Sequence, residues 1–461
     1  QFSLAIALTM PRFGGTFLQA VKVIAPRGPG VNFSQPCGCA MFSTSSSRRD
    51  KKSYKLLILG SGTGGSATAN KFAPKLGKGA VGVVEPKETH YYQAMWTLVG
   101  AGIKQFPQST RPRSWVLPKQ ADWIKDRVVS FQPEKNTITT EKGDEISYEY
   151  LVVALGLQLN YNQVPGLLEG LEHDPMVCSN YWDNTVTKTK PAMDAFKGGQ
   201  AIFTFPNTPV KCAGAPQKIM YLFEDRMRQV GLRDKTHIIY NTSLPVIFGV
   251  PKYAKALGKI CEDRDITVNV RTNLVEVDYK NKKAIFENLD TKEKTTFTYD
   301  FLHATPPMSS PDVLRSSPIV DSTGFVDVNK ETLQHVKYPN IFSIGDCSNV
   351  PTSKTAAACA SQALALQKTL TGIMEGSDYK GDYDGYTSCP LTTSYTKVML
   401  AEFGFDGKIL ETFPIDQGKP SRFAYFMKTR IFPDLYWHGL VKGIWNGPKP
   451  IRKILSLGMK D

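Results

Sequence analysis

The stretch YKLLILGSGTGGSAT, residues 54–68, places an apolar run directly before Gly60, Gly62 and Gly65. The apolar run predicts a strand that is buried on both faces, as in a parallel sheet covered by helices. The spacing of the glycines permits a tight turn, a close approach of the backbone to phosphate groups, and close packing of the next helix on the strand. The stretch therefore predicts the start of a βαβ unit that binds a dinucleotide.

The residues after these glycines complete the unit. SATANKFAPKLG predicts a helix, and AVGVVEP predicts a second strand that ends near Glu85, twenty residues after Gly65. An acidic side chain at this distance is placed to bind the ribose of an adenosine. Because strand, helix and acid occur in the expected order, the motif is far more specific than its glycines alone.

A second apolar strand, AIFTFP, lacks such glycines after it. The chain continues as NTPVKCAGAPQK, so Cys212 stands where a nicotinamide cofactor would place its phosphates. A helical pattern of apolar residues follows Cys212 and ends at Gly231. These features favour a flavin enzyme that receives electrons through sulfur rather than from NAD(P)H.

Residues 121–156 and 265–307 share one pattern. Each has a short entering strand, a Val-rich strand, a polar turn, an alternating strand and the motif Tyr-acid-x-Leu. The likeness predicts a two-fold internal repeat, although any two β-meanders share part of it. The predicted fold class is α/β, with two Rossmann-like, three-layer dinucleotide-binding domains that carry β-meanders.

A third strand, NIFSIGD, delivers Gly345 and Asp346 at its carboxyl end, where open α/β sheets bind their ligands. Asp346 is predicted to hydrogen-bond the ribityl chain or pyrophosphate region. A long Ala-rich helix then begins near Lys354 and Thr355, and its positive end would stabilise the negative charge of a reduced flavin. The alternative is an ordinary capped helix of the core.

The 461-residue chain is 41% hydrophobic, enough for two or three domains, and its formal net charge is +14. Its first fifty residues carry five Lys or Arg, one acid and the run STSSSRR. This pattern predicts mitochondrial targeting. A basic protein favours either nucleic acid or an anionic membrane surface as a partner.

The C-terminal segment, residues 421–461, helps to distinguish these partners. It holds eight Lys or Arg and two Asp, interleaved with aromatic residues, and no apolar run of eighteen residues. A transmembrane span is therefore excluded on length, and an amphipathic segment at a membrane interface is favoured. A helix that covers the sheet with solvated lysines and a nucleic-acid surface are the alternatives.

Eight cysteines are too sparse for a secreted disulfide framework, and without a CxxC pair we predict no metal site. The helix amino end and Lys211 both favour the thiolate of Cys212. Cys389 lies in YTSCPLTT, a predicted loop, and its chemistry alone leaves a redox and a quiet role equally open. Sequence alone does not show that the two meet, since 177 residues separate them. Packing roles are predicted for the cysteines Cys261, Cys347 and Cys359.

Seven motifs together carry a family resemblance: GSGTGG with Glu85, HYYQAMWTLVGAG, the ALG at 154–156, FPNTPVKCAGAPQK, HATPPM, IGDCSNVPTSKTAAA and DGYTSCPLTT. From about residue 54 to its end, the chain resembles the animal mitochondrial sulfide:quinone oxidoreductases, flavoproteins with two dinucleotide-binding domains. The cysteine-containing motifs are the specific ones, because the glycine motif is shared with many flavoproteins.

The resemblance implies that Cys212 and Cys389 form a redox pair that faces FAD. Hydrogen sulfide would leave a persulfide on Cys389, glutathione or sulfite would remove its outer sulfur, and ubiquinone would take two electrons at the inner mitochondrial membrane. Cys178 does not match the third cysteine of bacterial relatives and is predicted to be non-catalytic. The predicted cofactor-binding residues are Gly60, Gly62, Thr63, Gly64, Gly65, Glu85, Gln93, Val128, Gly345, Asp346, Lys354 and Thr355.

The chain is accordingly divided into four predicted regions. These are a presequence at 1–52, a discontinuous FAD-binding domain at 53–165 and 300–375, a second Rossmann-like domain at 166–299, and a C-terminal cysteine, membrane and quinone region at 376–461. Two other functions stay open at this point: a membrane-associated NADH:quinone oxidoreductase, and a flavoprotein fold that binds a partner without catalysis.

Overall fold

The computed structural model describes residues 52–455. The predicted presequence therefore lies outside the described residues, apart from Lys52. The first parallel sheet has the strand order Asp122–Ile124, Val81–Val84, Lys52–Leu59 and Glu145–Val153, and Ile341–Ser343 pairs on the far side of the last strand. As the apolar run predicts, Leu56 to Leu59 are fully buried.

A second parallel sheet repeats this order. It runs Ile266–Asn269, Thr236–Thr242, Gly199–Phe205, Phe301–His303 and Val177–Cys178. In both sheets a central strand, Lys52–Leu59 or Gly199–Phe205, is followed outward by the next two parallel strands of the chain, and the chain then leaves through a meander before it returns on the other side of the central strand. This agreement matches the predicted two-fold repeat. The outermost strands beyond the returning strand differ, because Ile341–Ser343 comes late in the chain and Val177–Cys178 comes before Gly199–Phe205. Phe301–His303 pairs in the second sheet although the predicted domain boundary lies at residue 299.

The two meanders differ in how they return. In the first, Val128–Gln132 and Thr137–Thr140 pair antiparallel with the first half of Glu145–Val153, whose second half belongs to the parallel sheet. In the second, Thr272–Asp278, Lys283–Asn288 and Lys294–Thr298 form a sheet of their own. A separate short strand then continues into the parallel sheet.

Helices cover these sheets. The long ones are Thr63–Leu76 after the glycine motif, Ala215–Gln229 after Cys212, Pro251–Asp263, and the predicted Ala-rich helix Ala356–Met374. Shorter α-helices span Trp96–Gly100, Arg113–Val116, Leu167–His173, Thr189–Ala195 and Asp312–Arg315. Three two-stranded ladders pair Thr89–Tyr91 with Thr110–Pro112, Gln158–Leu159 with Met308–Ser309, and Thr387–Thr392 with Val398–Phe403.

The C-terminal segment is helical from residue 422 to residue 440. Its pieces are Arg422–Phe426, Met427–Ile431, Phe432–Asp434 and Leu435–Leu440, of which the second and fourth are π-helical, and Lys449–Leu455 follows. Within residues 52–455, no helix combines the length and the apolarity that crossing a bilayer requires.

Candidate functional site

A cavity of about 1380 Å³ is lined by both parallel sheets, the helix Ala356–Met374 and the C-terminal segment. Ligand pockets commonly measure roughly 300–1,000 Å³, so this one has room for a large cofactor and a further molecule. Its wall contains most of the predicted site residues: Gly60, Gly62, Thr63, Gly64, Glu85, Gln93, Val128, Cys212, Gly345, Asp346, Lys354 and Thr355. Gly65 and Cys389 lie behind this wall.

The glycine motif fits the pyrophosphate of a dinucleotide. Gly60 adopts a φ of 85°, a conformation that side chains disfavour. A Cβ atom on Gly65 would collide with the carbonyl oxygen of Gly60, so the helix packs on the strand only because residue 65 is glycine. A Cβ atom on Gly62 would meet nothing within 4 Å, and this residue faces the cavity. The backbone is therefore open to a phosphate group at the amino end of the helix.

Glu85 lies at the end of the second strand, as predicted. Its Oε2 atom accepts a hydrogen bond from the Ser61 backbone N–H at 3.0 Å, and Arg113 lies 3.7 Å from the same oxygen. Glu85 also lines the cavity. The carboxylate thus holds the glycine loop in place and can still accept a hydrogen bond from a ribose hydroxyl.

Gly345, Asp346, Lys354 and Thr355 converge at the start of the Ala-rich helix. The Thr355 hydroxyl caps this helix and accepts from the Ala358 N–H at 3.0 Å. Burial raises the pKa of the Asp346 carboxyl, although Lys354 opposes this shift. The Lys354 ammonium donates to the Ser348 carbonyl at 2.9 Å. The helix amino end therefore faces the cavity together with a carboxylate and a cation.

The two remaining predicted contacts, Gln93 and Val128, also line the cavity. Gln93 accepts a hydrogen bond from the Lys211 ammonium at 2.9 Å. Val128 begins the strand Val128–Gln132 of the first meander. Gln93 therefore connects the first half of the chain to the residue that precedes Cys212.

The structure brings Cys212 and Cys389 together, with their Sγ atoms 3.2 Å apart. Cys212 is held by a hydrogen bond from its N–H to the Lys354 carbonyl at 2.8 Å, in a left-handed conformation with φ of 52°. Such backbone strain is concentrated at functional sites. Cys389 lies in the strand Thr387–Thr392 rather than in the predicted loop, because Val398–Phe403 pairs with it. Gly214 permits this approach, since a Cβ atom there would lie 2.6 Å from the Cys389 sulfur.

The lysine that contacts the thiol is Lys218, and not Lys211 as the sequence suggested. Its Nζ atom lies 3.0 Å from the Cys212 sulfur. The hydrogen bond with Cys389, followed by the Lys218 charge, holds the pKa of Cys212 well below its usual range. The same hydrogen bond and burial raise the pKa of Cys389. The reduced pair is therefore a thiolate at Cys212 beside a thiol at Cys389.

A second lysine, Lys428, reaches this region from the C-terminal segment. It is only 6% exposed and lines the cavity. Burial and the Lys218 charge lower its pKa to about 7, although both cysteines oppose the shift. The alternative in which the segment covers the sheet with solvated lysines is thus wrong for Lys428.

The other described cysteines are buried. Burial raises the pKa of Cys178 to about 12 and that of Cys261 to about 11, and it also raises the pKa values of Cys347 and Cys359. Thiols with raised pKa values are poor nucleophiles at neutral pH. These positions are consistent with the predicted packing roles.

Comparison with known proteins identifies the family. Residues 54–190 match the pyridine nucleotide-disulphide oxidoreductase family. The chain is 51% identical over 427 residues to the mitochondrial sulfide:quinone oxidoreductase of Mus musculus, covering 92% of this chain and 95% of the mouse protein. The chain belongs to the mitochondrial sulfide:quinone oxidoreductase family. A relative of the same name from Dictyostelium discoideum is 44% identical, with the same two coverages.

The fold of this oxidoreductase is also that of a solved relative. The sulfide:quinone oxidoreductase of Aquifex aeolicus superposes with a TM-score of 0.74 at 19% identity, over 89% of this chain and 96% of the bacterial chain. Pyridine nucleotide-disulphide oxidoreductases are typically flavin-dependent. Family membership removes the two alternatives that the sequence left open, an NADH:quinone oxidoreductase and a binding protein without catalysis.

Sequence reasoning missed three residues of this sulfide:quinone oxidoreductase site. Lys218 occurs in QKIMYLF, where a lysine among apolar residues of a helix was a usable signal. Lys428 and Tyr436 line the cavity from the C-terminal segment, and nothing local distinguishes them from neighbouring basic and aromatic residues. In the part of the chain that the structure describes, no cluster of His, Cys, Asp and Glu could hold a metal.

Proposed function

We propose that this chain oxidises hydrogen sulfide at the Cys212–Cys389 pair, passes two electrons through FAD to ubiquinone, and transfers the oxidised sulfur to a small acceptor. The observation that carries the proposal is the 3.2 Å contact of the two sulfurs beside the cavity that the glycine motif lines. A disulfide bond measures about 2.05 Å, so a small displacement converts this contact into a bond.

The oxidised pair provides the electrophile. Hydrosulfide attacks Cys389 Sγ, a bond forms between these two sulfurs, and the Cys389–Cys212 bond breaks with its electron pair on Cys212. The products are a Cys389 persulfide and a Cys212 thiolate, so atoms and charge balance. The sulfur of lower pKa is the better leaving group, and the depressed pKa of Cys212 supports this direction of attack.

The residues of the cavity support FAD as the cofactor. Gly62 and Thr63 would hold the pyrophosphate at the helix amino end, and Glu85 would bind the adenosine ribose. Asp346 and the amino end of Ala356–Met374 would hold the ribityl chain and ring. A bound flavin would supply a two-electron acceptor for Cys212 and a donor for quinone.

The sulfur acceptor must reach the persulfide on Cys389. An acceptor such as glutathione or sulfite attacks the outer sulfur, forms a new bond to it and leaves Cys389 as a thiolate. Re-forming the disulfide then releases the two electrons that quinone takes. The Lys218 ammonium, together with Lys428 in its protonated form, would favour an acceptor that arrives as an anion.

The C-terminal segment supports ubiquinone and a membrane surface as partners. Met427, Ile431 and Phe432 line the cavity on this side. Several apolar side chains of the segment are exposed to solvent, and Arg422, Arg430 and Lys453 are exposed among them. Apolar and basic groups together bind anionic membranes. The named relatives are mitochondrial, which supports the inner mitochondrial membrane as the surface in this proposal.

Anaerobic rapid mixing tests the proposal. Sulfide should bleach the flavin absorbance of the purified protein, and added ubiquinone should restore it. Cys212→Ser and Cys389→Ser should each abolish sulfide-dependent bleaching, whereas Cys178→Ser should not change it. Rapid bleaching by NADH without any by sulfide would reject the proposal, as would full activity in either serine variant.

A further inference from the structure

The C-terminal segment is hydrogen-bonded to one face of the helix Thr63–Leu76, which follows the glycine motif. The Tyr436 hydroxyl lies 3.0 Å from Thr63 Oγ1, the Asn70 amide donates to the Val441 carbonyl at 2.9 Å, and the Lys71 ammonium donates to the Gly443 carbonyl at 2.9 Å. Residues 63, 70 and 71 are seven and eight positions apart and therefore share a helix face. A segment some 370 residues away in sequence is thus built onto the predicted phosphate-binding helix.

The Tyr436 hydroxyl also ends a series of hydrogen bonds between buried side chains. Arg113 Nη1 lies 2.8 Å from His90 Nδ1, and His90 Nε2 lies 2.7 Å from the Tyr436 hydroxyl. Burial and the Arg113 charge lower the pKa of His90 to about 3, so the ring is neutral. A guanidinium group only donates hydrogen bonds. The Ser61 carbonyl oxygen also lies 3.0 Å from Nδ1, and Arg113 Nη1, which carries two hydrogens, contacts both of these acceptors. We assign one hydrogen of Nη1 to the Ser61 oxygen and the other to Nδ1, which places the single ring proton on Nε2, where it is donated to Tyr436.

These assignments fix the direction of the remaining hydrogen bonds. Because the Tyr436 oxygen accepts from His90, its own hydrogen is free to be donated to Thr63 Oγ1. Among residues 52–455, Tyr436 is the hydrogen-bond partner of the Thr63 hydroxyl, so the Thr63 hydrogen is available to a ligand. Thr63 is the first residue of its helix and lines the cavity beside Gly62. Hydrogen bonds that follow one another in this way strengthen each other. In this series the donors point from the Arg113 guanidinium toward the cavity.

The Tyr436 ring is held rigidly, which suits an orienting role. It stacks on Tyr92 with ring centroids 3.9 Å apart and an angle of 17° between the planes, and Trp437 packs edge-on at 5.1 Å. Tyr436 is only 3% exposed. A donor held in one geometry loses little conformational freedom when a ligand binds.

We propose that Tyr436 is a positioning residue that orients the Thr63 hydroxyl toward the pyrophosphate of the bound dinucleotide, so that the C-terminal segment sets the affinity of the flavin site. The inference rests on the proposed FAD dependence. It also explains why Thr63 rather than a further glycine follows Gly62, since a hydroxyl adds a donor to the backbone N–H groups at this helix end.

The test uses the full-length protein freed of its flavin. Tyr436→Phe keeps the stacked ring and removes the hydroxyl, and we expect FAD to bind about tenfold more weakly, the loss of about one hydrogen bond to a charged group. Thr63→Val should weaken binding similarly, and the double variant should bind no worse than Thr63→Val alone. Tyr425→Phe, on the same segment, is the matched control and should bind FAD as the wild type does.

Two further readouts separate orientation from a structural effect. The phosphorus NMR resonances of bound FAD should shift in Tyr436→Phe, while the circular dichroism spectrum of the flavin-free variant, measured below its Tm, should match that of the wild type. Unchanged FAD affinity in Tyr436→Phe, or equal losses that add in the double variant, would overturn the inference and leave the proposed function intact. A wild-type protein that binds no FAD would overturn both.

Discussion

The Nζ atom of Lys218 lies 3.0 Å from the sulfur of Cys212, on the helix that begins three residues after this cysteine. The buried ammonium and the sulfur stabilise each other, because burial disfavours the Lys218 charge and the two cysteines restore it, so that the pKa of Lys218 is raised. The thiolate at Cys212 thus depends on a residue that helix geometry, and not sequence adjacency, brings to it.

Replacing Lys218 with Met should therefore raise the pKa of Cys212. The alkylation rate of the reduced enzyme follows the thiolate fraction, and its rise should move to higher pH in Lys218→Met. At a pH below the pKa, each unit by which the pKa of Cys212 rises makes the thiolate fraction roughly tenfold smaller. The measurement is the rate of iodoacetamide labelling at Cys212 against pH, followed by peptide mapping. Lys211→Met is the matched control, since the Lys211 ammonium contacts Gln93. An unchanged profile in Lys218→Met would contradict this account.

Lys428 should make stability depend on pH in a defined direction. Its pKa falls from 10.5 to about 7 in the folded protein. The unfolded chain therefore binds the proton more strongly, and the resulting destabilisation is complete below about pH 7 and disappears as the pH rises to 10.5. Lys428→Met should raise Tm, and by more at pH 6.5 than near pH 10. The exposed Lys78→Met is the control; a Tm gain independent of pH would contradict the argument.

Glu224 should contribute strongly to stability. Its fully buried carboxylate pairs with Arg264 at 3.0 Å, with Arg233 at 3.5 Å and with Arg228. Breaking a buried ion pair from one side costs about 3–5 kcal/mol, so Glu224→Gln should lower Tm by many degrees in thermal unfolding. The exposed Asp290, paired with Arg271 at 2.8 Å, provides the comparison, and Asp290→Asn should leave Tm nearly unchanged. Equal effects of the two substitutions would show that burial at Glu224 is unimportant.

Membrane binding should depend on the exposed apolar side chains of the C-terminal segment. Ile444 and Ile454 are each 72% exposed. Burying such a side chain contributes about 1.5–3 kcal/mol, so Ile444→Ser and Ile454→Ser should each weaken co-sedimentation with anionic vesicles about tenfold or more. Val336 is 62% exposed elsewhere on the protein, and Val336→Ser should bind as the wild type does. Equal binding by all of these variants would place the membrane contact elsewhere.

The parts of this structure that are encoded locally were predictable. The strand Lys52–Leu59, its helix and Glu85 follow from apolar periodicity and from glycine positions that only one backbone geometry satisfies. The start of Ala356–Met374 also follows from its own residues, because Thr355 is a good capping side chain. The equivalence of the two sheets could be read from the repeated strand pattern.

The relationships that depend on chain crossing were not predictable from local pattern. Cys212 and Cys389 meet because a strand packs over the amino end of the helix Ala215–Gln229, at a point where only Gly214 leaves room. Lys428 and Tyr436 enter the cavity from a segment whose basic and aromatic composition equally suits a membrane surface. That segment in fact has both an exposed apolar side and a buried polar one, which composition cannot separate.

The most direct test determines which cysteine receives the sulfur atom of the first sulfide molecule. The oxidised enzyme is mixed anaerobically with one equivalent of sulfide, quenched by alkylation, digested and mapped by mass spectrometry. We expect one added sulfur atom on the peptide that contains Cys389 and an alkylated thiol, without added sulfur, at Cys212. Added sulfur on Cys212, or on Cys178, would contradict the assignment of the Cys212–Cys389 pair and the direction of attack.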